Sequence, residues 1–254
     1  MLAVKNLSVR YGPLVILNDI EFSVGEGRWL MVVGSNGAGK STLIGAVSQD
    51  VPYTGDVLFQ GRNINGRKPS ALARDMGVLM QNHNVGYSFT VEEVVRLGRY
   101  AYSGGIFSAM TDEDEAKIEE ALASTGMLPI RGQSVLTLSG GELQRTFLAQ
   151  LLAQDPKLLL LDEPSNHLDL VYQKQMFELI REWLKKPGRA VLSVVHDLNL
   201  AKAFGTDALL LHRGKIEASG EAAKVLTGDM LKDVYGMDVA GWMRMMLAQW
   251  EESR

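Results

Sequence analysis

The 254-residue chain contains no cysteine, which excludes a disulfide framework, a thiolate metal site and a cysteine nucleophile. It also lacks an excess of positive charge, since 26 Lys and Arg stand against 30 Asp and Glu and leave a formal net charge of −4. No overall basic field is therefore available to hold nucleic acid or anionic lipid. No apolar run approaches the ~20 residues that cross a bilayer, and the N-terminus shows no secretory signal. We expect a cytoplasmic chain that reaches a membrane only through a partner protein.

Short apolar runs alternate with longer segments of helical period along most of the chain, which is typical of βαβ units with a mainly parallel sheet. The runs predicted as buried strands are residues 30–33, 78–80, 158–161 and 191–195, and each ends just before a polar residue or a glycine turn. Ligands of α/β proteins bind at such strand ends. With 46% hydrophobic and 22% charged residues, the chain is predicted to form an α/β fold with a packed core.

Two other patterns interrupt this alternation. Alternating strands are predicted near both ends of the chain, at residues 4–9, 14–24 and 55–59 and in a hairpin that turns at residues 212–215. Residues 90–153 are almost purely helical in pattern, with capping boxes that begin at Thr90 and Thr111 and stop signals at Gly126 and Asp155. We interpret this segment as a helical insertion that docks on the sheet domain.

Residues 34–41, Gly-Ser-Asn-Gly-Ala-Gly-Lys-Ser, match the phosphate-loop pattern GxxxxGK[ST] between a predicted strand and a predicted helix. In such a loop the glycines let backbone N–H groups turn toward phosphates, Lys40 places a cation at the β and γ groups, and the Ser41 hydroxyl ligates Mg²⁺. The alternative, a glycine-rich turn met by chance, is disfavoured by the flanking strand and helix. The predicted phosphate-binding residues are Gly34, Asn36, Gly37, Ala38, Gly39, Lys40, Ser41 and Thr42.

The apolar run at residues 158–161 is followed by two adjacent carboxylates, Asp162 and Glu163, as in the Walker B arrangement. We expect Asp162 to hold Mg²⁺. Because successive side chains of a strand point to opposite sides, Glu163 can face the attacking water and accept its proton as general base. The alternative is an acidic pair at a helix N-terminus ahead of Pro164.

Leu-Ser-Gly-Gly-Glu at residues 138–142 fits a capping box, with Ser139 and Glu142 in its two positions ahead of a predicted helix. A capped helix N-terminus that contains Gly140 and Gly141 also offers N–H groups and the positive end of the helix dipole to a phosphate. Both interpretations can hold together. The residues alone leave open which phosphate this helix would bind.

The phosphate loop, residues 138–142, the acidic pair and Val-His-Asp at 195–197 resemble, in order and spacing, the motifs of the nucleotide-binding subunit of an ABC transporter. The resemblance runs from residue 4 to about residue 239. It implies that ATP binds with Mg²⁺ and that Tyr11 stacks on adenine. It also implies that Gln81 is the Q-loop glutamine, near Mg²⁺ or water, that His196 is the switch histidine, and that Asp169 lies in the D-loop. Glu163, His196, Gln81 and Lys40 are then the expected catalytic residues.

The resemblance also implies a fold, namely a P-loop RecA-like core with an N-terminal antiparallel β subdomain and an inserted α-helical subdomain. On this chain we expect residues 1–82 to form the first part of the ATP-binding core with the β subdomain, and residues 83–155 to form the helical subdomain. Residues 156–228 would complete the core, and residues 229–254 would form a C-terminal helical tail.

In this family the LSGGE segment of one subunit closes over ATP held by the phosphate loop of the other. The resemblance therefore implies a head-to-tail homodimer in which Ser139, Gly140, Gly141, Glu142 and Asp169 act in trans. Residues 82–100 and 234–239 are similar to the ATPases of type II importers, which carry ferric siderophores, haem or cobalamin. This implies membrane permease subunits and a solute-binding receptor as partners, a place on the cytoplasmic face of the inner membrane, and no nucleic acid.

Residues 82–105 are expected to contact the permease, and a plain surface helix is the alternative. Two other functions share the catalytic motifs: a soluble ABC ATPase that acts as a nucleotide switch on nucleic acid or an assembly machine, and an exporter ATPase. The single ATPase unit, without a long coiled coil or a basic stripe, disfavours the switch. Only residues 82–105 and 234–239 speak against an exporter.

Beyond residue 241 the sequence departs from the family pattern. Trp242, Met246 and Trp250 fall on one face of a predicted helix. We expect this helix to pack on the core, with a contact to a partner or to a second copy as the alternative. It lacks the basic face of a membrane-surface helix.

Overall fold

The computed structural model describes residues 1–80, 86, 88–102, 110–166 and 168–251. The strands within them are β1 Leu2–Tyr11, β2 Leu14–Val24, β3 Trp29–Val33, β4 Thr54–Phe59, β5 Arg62–Asn63, β6 Met76–Leu79, β7 Leu158–Asp162, β8 Ala190–Val194, β9 Asp207–His212 and β10 Lys215–Glu221. The α-helices are α1 Lys40–Val47, α2 Pro69–Leu72, α3 Val91–Leu97, α4 Asp112–Ser124, α5 Gly140–Gln154, α6 Leu170–Leu184, α7 Leu198–Phe204, α8 Ala222–Val225, α9 Gly228–Tyr235 and α10 Val239–Glu251. The chain divides into two compact units, which are described in turn.

The first unit comprises residue 1, residues 25–27 and residues 64–193. Its strands lie in the order β8-β7-β6, and β6 pairs with β7 in parallel as predicted for buried strands of an α/β sheet. Helices α3, α4 and α5 pack around an apolar cluster, to which the members of each helix contribute at helical spacing. The cluster comprises Val91, Val94, Val95, Ile118, Ala121, Leu122, Met127, Val135, Ala149 and Ala153.

The predicted helix boundaries in this unit are confirmed. Thr90, Thr111 and Ser139 each cap a helix, and each is paired with an acidic residue three positions later in a full capping box. Helix α4 ends just before Gly126, and α5 ends at Asp155, both of which have positive φ. These helix ends are set by local side-chain and backbone preferences, which is why sequence patterns locate them.

The second unit comprises residues 2–24, 28–63 and 194–254. An antiparallel sheet of order β2-β1-β4-β5 accounts for the alternating strands predicted near the N-terminus. The strands β10-β9-β3 lie side by side, with β9 parallel to β3 and joined to β10 by the predicted hairpin. At the start of β3, Arg28 forms two 2.6 Å hydrogen bonds to the Asp207 carboxylate at the start of β9, and this carboxylate has a lowered pKa because of the guanidinium.

The C-terminal helix α10 is present, but the predicted packing of its aromatic face on the core is wrong. Trp242, Met246 and Trp250 are 51%, 49% and 80% exposed. The helix instead buries Val239 and lies against α9. Periodicity gave the helix and its apolar face, but it could not say on which side the rest of the protein lies.

None of the helices in the described part of the chain combines the length and the apolar character needed to cross a membrane.

Candidate functional site

The phosphate loop lies in the second unit, between β3 and α1, as the sequence predicts. Gly34, Gly37 and Gly39 have φ angles of 153°, 77° and 103°, which residues other than glycine rarely adopt. A Cβ at Gly34 would lie 2.0 Å from the Leu211 carbonyl oxygen, and one at Gly39 would lie 2.6 Å from a methyl group of Leu17. Gly34 and Gly39 are therefore required both for backbone conformation and for close packing, against β9 and β2 respectively, and Gly37 for conformation alone.

Lys40 reaches back over the loop that precedes it. Its Nζ donates hydrogen bonds to the carbonyl oxygens of Gly34, at 2.8 Å, and Ser35, at 3.1 Å. The ammonium is thus buried in the loop and held by backbone acceptors, for which phosphate oxygens can be exchanged. Asn36 and Ser41 are exposed, while Thr42 is half-buried in the first turn of α1 and Ala38 is buried.

His196 lies beside the start of the phosphate loop. The N–H of Val195 donates to the carbonyl of Val32 at 3.2 Å, so the chain leaves β8 next to the strand that feeds the loop. His196 follows at this point and is exposed, and Asp197 then caps α7 by accepting the Asn199 N–H at 2.7 Å. Tyr11, the predicted adenine-stacking residue, ends β1 and is exposed in the same unit.

The acidic pair lies in the first unit, at the end of β7. Asp162 is the last residue of the strand and only 2% exposed, and Glu163 is 7% exposed. Glu163 does not continue the pleat of β7, contrary to our prediction, because it lies beyond the strand with a φ of 51°. Its direction is set by a left-handed turn rather than by the pleat. Within this turn the Asn166 side-chain amide donates to the Glu163 carboxylate.

Residues 139–142 and Asp169, the predicted D-loop residue, border the same hollow in the first unit. Ser139, Gly140, Gly141 and Glu142 line a hollow of 390 Å³ together with Arg145, Leu168, Asp169 and Tyr172. The N-termini of two helices border this hollow, since Ser139 caps α5 and Asp169 caps α6. The Ser139 N–H and hydroxyl donate to the Glu142 carboxylate at 2.8 and 2.7 Å and lower its pKa. The hollow therefore offers the N–H groups of two helix N-termini to an anion, beside the Glu142 and Asp169 carboxylates that are held by the two caps.

Gln144, Arg145 and Tyr172, which were not predicted as site residues, connect the LSGGE helix to its neighbours in the first unit. Gln144 of α5 is buried and donates to the Pro164 carbonyl at 3.1 Å, which joins the LSGGE helix to the turn after the acidic pair. The Arg145 guanidinium lies 4.0 Å from the ring centroid of Tyr172 on α6. The contacts of Gln144 and Arg145 could not be predicted from one sequence, because tertiary packing decides which groups lie next to a polar residue in the second turn of a helix.

The predicted Gln81, and residues 82–85, 87 and 103–105 of the expected permease contact, lie outside the described residues. For Mg²⁺, the described part of the chain contains no group of three or more His, Asp or Glu side chains that could hold a metal ion. Ser41 and Asp162 offer a hydroxyl and a carboxylate, which are the hard oxygen donors that Mg²⁺ prefers. Each of the two residues supplies one such ligand, so a cation held by either of them would take its other ligands from phosphate and water.

A model of the ABC transporter family matches residues 17–166. Hemin import ATP-binding protein HmuV of Streptomyces coelicolor is 42% identical over 238 residues, which cover 93% of this chain and 84% of that protein. Iron(3+)-hydroxamate import ATP-binding protein FhuC of Bacillus subtilis is 37% identical over 238 residues, which cover 93% and 88%. The chain spans about half the length, 53%, of an uncharacterized ABC transporter ATP-binding protein of Bacillus subtilis, YvrA, to which it is 38% identical over 236 residues.

Among solved structures, the chain is similar to an ATP-binding cassette captured as a dimer in a post-hydrolysis state with ADP and Pi. The TM-score is 0.77 at 26% identity, and the match covers 87% of this chain and 99% of that one. The expected fold class, an ABC ATPase with an antiparallel β sheet, a parallel sheet and helices, is confirmed. The chain belongs to the ABC transporter family, as one of its ATP-binding and ATP-hydrolysing subunits.

Proposed function

We propose that this subunit powers the uptake of a metal chelate, such as a ferric siderophore, haem or cobalamin, through a separate membrane permease. The observation that carries the proposal is the identity of 37–42% over 93% of the chain to proteins named for iron-hydroxamate and hemin import. The permease subunits and a solute-binding receptor complete the system. The chain then works at the cytoplasmic face of the membrane, bound to its permease.

The working unit is a head-to-tail homodimer with two composite ATP sites. The phosphate loop of one copy holds ATP. The γ-phosphate of this ATP contacts the hollow of the other copy, which is lined by Ser139, Gly140, Gly141, Glu142 and Asp169. ATP stabilises the closed dimer because it contacts both surfaces, and hydrolysis removes that bridge. The dimeric cassette in its ADP and Pi state supports this arrangement.

Within each site the residues have separate tasks. Lys40 binds the β and γ phosphates, and Tyr11 stacks on adenine. Glu163 accepts a proton from the attacking water, and Gln81 and His196 orient water and the γ-phosphate. Ser41, Asp162 and Gln81 would hold Mg²⁺, which neutralises charge on the phosphates when it is bound with ATP.

The test is a tagged purification of the Glu163→Gln variant from detergent-solubilised membranes in the presence of ATP, with the recovered proteins identified by mass spectrometry. A Lys40→Ala variant serves as control, because it should bind ATP more weakly and therefore form less of the closed dimer. We expect a polytopic permease to be recovered with Glu163→Gln, with a receptor gene beside the permease gene. Recovery only with ribosomes, DNA or assembly factors would overturn the import proposal while leaving ATP hydrolysis intact.

A further inference from the structure

The β9–β10 hairpin lies against the phosphate loop within the second unit. Its two turn residues, Arg213 and Gly214, have φ angles of 47° and 75°, and His212 pairs with Lys215 across them. Positive φ at both positions is the signature of the tight turn that matches the twist of a two-stranded hairpin. The turn therefore has a defined backbone geometry, in which each peptide group points in a set direction.

Two hydrogen bonds fix this turn between strand β2 and the loop. The Gly214 N–H donates to the Ala38 carbonyl at 3.1 Å, and the Gly214 carbonyl accepts the Asn18 N–H at 2.9 Å. A Cβ at position 214 would lie 2.2 Å from the Ile16 carbonyl oxygen, so only glycine allows this approach. Gly214 thus links β2 to the phosphate loop through its own peptide groups.

The bond to Ala38 also determines a direction inside the loop. The Ala38 carbonyl and the Gly39 N–H belong to one peptide unit, which is planar and trans, and they therefore point in opposite directions. Since the carbonyl points to the hairpin, the Gly39 N–H points away from it. Gly39 is the N-cap of α1 and has a φ of 103°, so the Ala38–Gly39 peptide unit precedes the regular helix.

We propose that Gly214 is a positioning residue for ATP binding, because its N–H holds the Ala38–Gly39 peptide so that the Gly39 N–H is presented to a bound phosphate. The inference rests on the proposed role of the loop in holding ATP. Gly214 lies far from the phosphate loop in the sequence and outside the GxxxxGK[ST] pattern, so that pattern alone does not indicate its role.

The test compares Gly214→Ala with Gly61→Ala. Gly61 lies in the same unit with the same φ of 75°, but a Cβ there would meet nothing within 4 Å. Both variants bear the same backbone strain, and only Gly214→Ala displaces the turn from Ile16. We expect Gly214→Ala to raise the Kd for ATP and the KM for hydrolysis about tenfold, the scale of one misaligned hydrogen bond to a charged group, with kcat nearly unchanged. Gly61→Ala should bind as the wild type does.

A second measurement does not depend on a variant that folds. If the Gly214–Ala38 bond favours nucleotide binding, nucleotide binding must favour that bond by the same factor. We expect ADP to slow hydrogen exchange at the Gly214 amide of the wild-type protein several-fold. Equal ATP affinity in both variants, or Gly214 exchange that ADP leaves unchanged, would overturn this inference alone. A wild-type protein that binds no nucleotide would overturn the proposed function as well.

Discussion

The phosphate loop and the helix that begins after Ser139 both present backbone N–H groups, but they are held in place differently. The loop depends on residues distant in the chain, since Gly34 packs on Leu211 and Ala38 accepts a hydrogen bond from Gly214. The helix start is held within four residues by the reciprocal bonds of Ser139 and Glu142. The phosphate loop is therefore shaped by the tertiary fold, whereas the conformation of the helix start is almost entirely local.

This difference predicts different responses to mutation. A change in the loop should alter nucleotide binding within one subunit, because long-range packing and phosphate contacts share the same backbone. A change at the Ser139 cap should weaken one helix end and the dimer that ATP closes, while the affinity of a single subunit for ATP persists.

Substitution Glu163→Gln should separate hydrolysis from both binding regions. It removes the proposed general base but keeps the size of the side chain and an oxygen that can accept from Asn166. We expect hydrolysis to slow by about 10² to 10⁴, with ATP affinity unchanged. Steady-state phosphate release and equilibrium ATP binding are the measurements, with Glu182→Gln, an exposed residue of the same unit, as control. Near-normal turnover would remove Glu163 from this role.

Substitution Lys40→Ala tests the loop side of the comparison. It removes the cation and also the two bonds from Nζ to the Gly34 and Ser35 carbonyls. ATP affinity should fall about 10- to 100-fold, as expected for the loss of hydrogen bonds to a charged group. Titration calorimetry measures the change, and Lys224→Ala removes an exposed lysine of the same unit as the control. Unchanged affinity would contradict the assignment of Lys40.

Substitution Ser139→Ala, compared with Thr111→Ala, tests the local side. Both changes remove the capping side chain of a capping box, so each should lower the free energy of unfolding by about 1 kcal/mol. Only Ser139 lines the hollow with Asp169. In a Glu163→Gln background, we expect Ser139→Ala alone to weaken the ATP-dependent dimer, measured by light scattering, without changing the ATP affinity of the monomer. Equal weakening by both variants would mean that the cap acts only through stability.

Substitution Glu92→Gln should have the smallest effect, on stability alone. Hydrogen bonds from Arg131, at 2.7 Å, and Arg96, at 2.8 Å, lower the pKa of Glu92 to about 2. A lowered folded-state pKa stabilises the protein above the ordinary value of 4.5, and that stabilisation is lost as the pH falls toward 2. We expect the variant to lose about 0.5 kcal/mol of unfolding free energy at pH 7, with the difference from wild type narrowing below pH 4.5 in urea unfolding. A gap independent of pH would contradict this cause.

Much of the fold was predictable because its signals are local. The strand before Gly34 is a run of buried residues, the helix caps at Thr90, Thr111 and Ser139 are spaced for reciprocal bonds, and glycines mark the hairpin and the loop. The direction of the Glu163 side chain, by contrast, was predicted wrongly because no local signal marks the end of the strand. The strand period was extended by one residue past the point where the backbone enters a left-handed turn, and no pattern in the sequence marks that point.

The chemistry of this protein could be predicted from its residues, because phosphate binding and hydrolysis require particular residue types at fixed short spacings. The phosphate loop, the acidic pair, the LSGGE segment and the order of these motifs are all sequence properties. The tertiary structure alone decided how they are held: Gly214 against Ala38, Gln144 on Pro164, and Arg145 over Tyr172. It also decided that Trp242, Met246 and Trp250 point outward. Contacts between distant residues depend on where the chain returns in space, and a local pattern carries no record of that return.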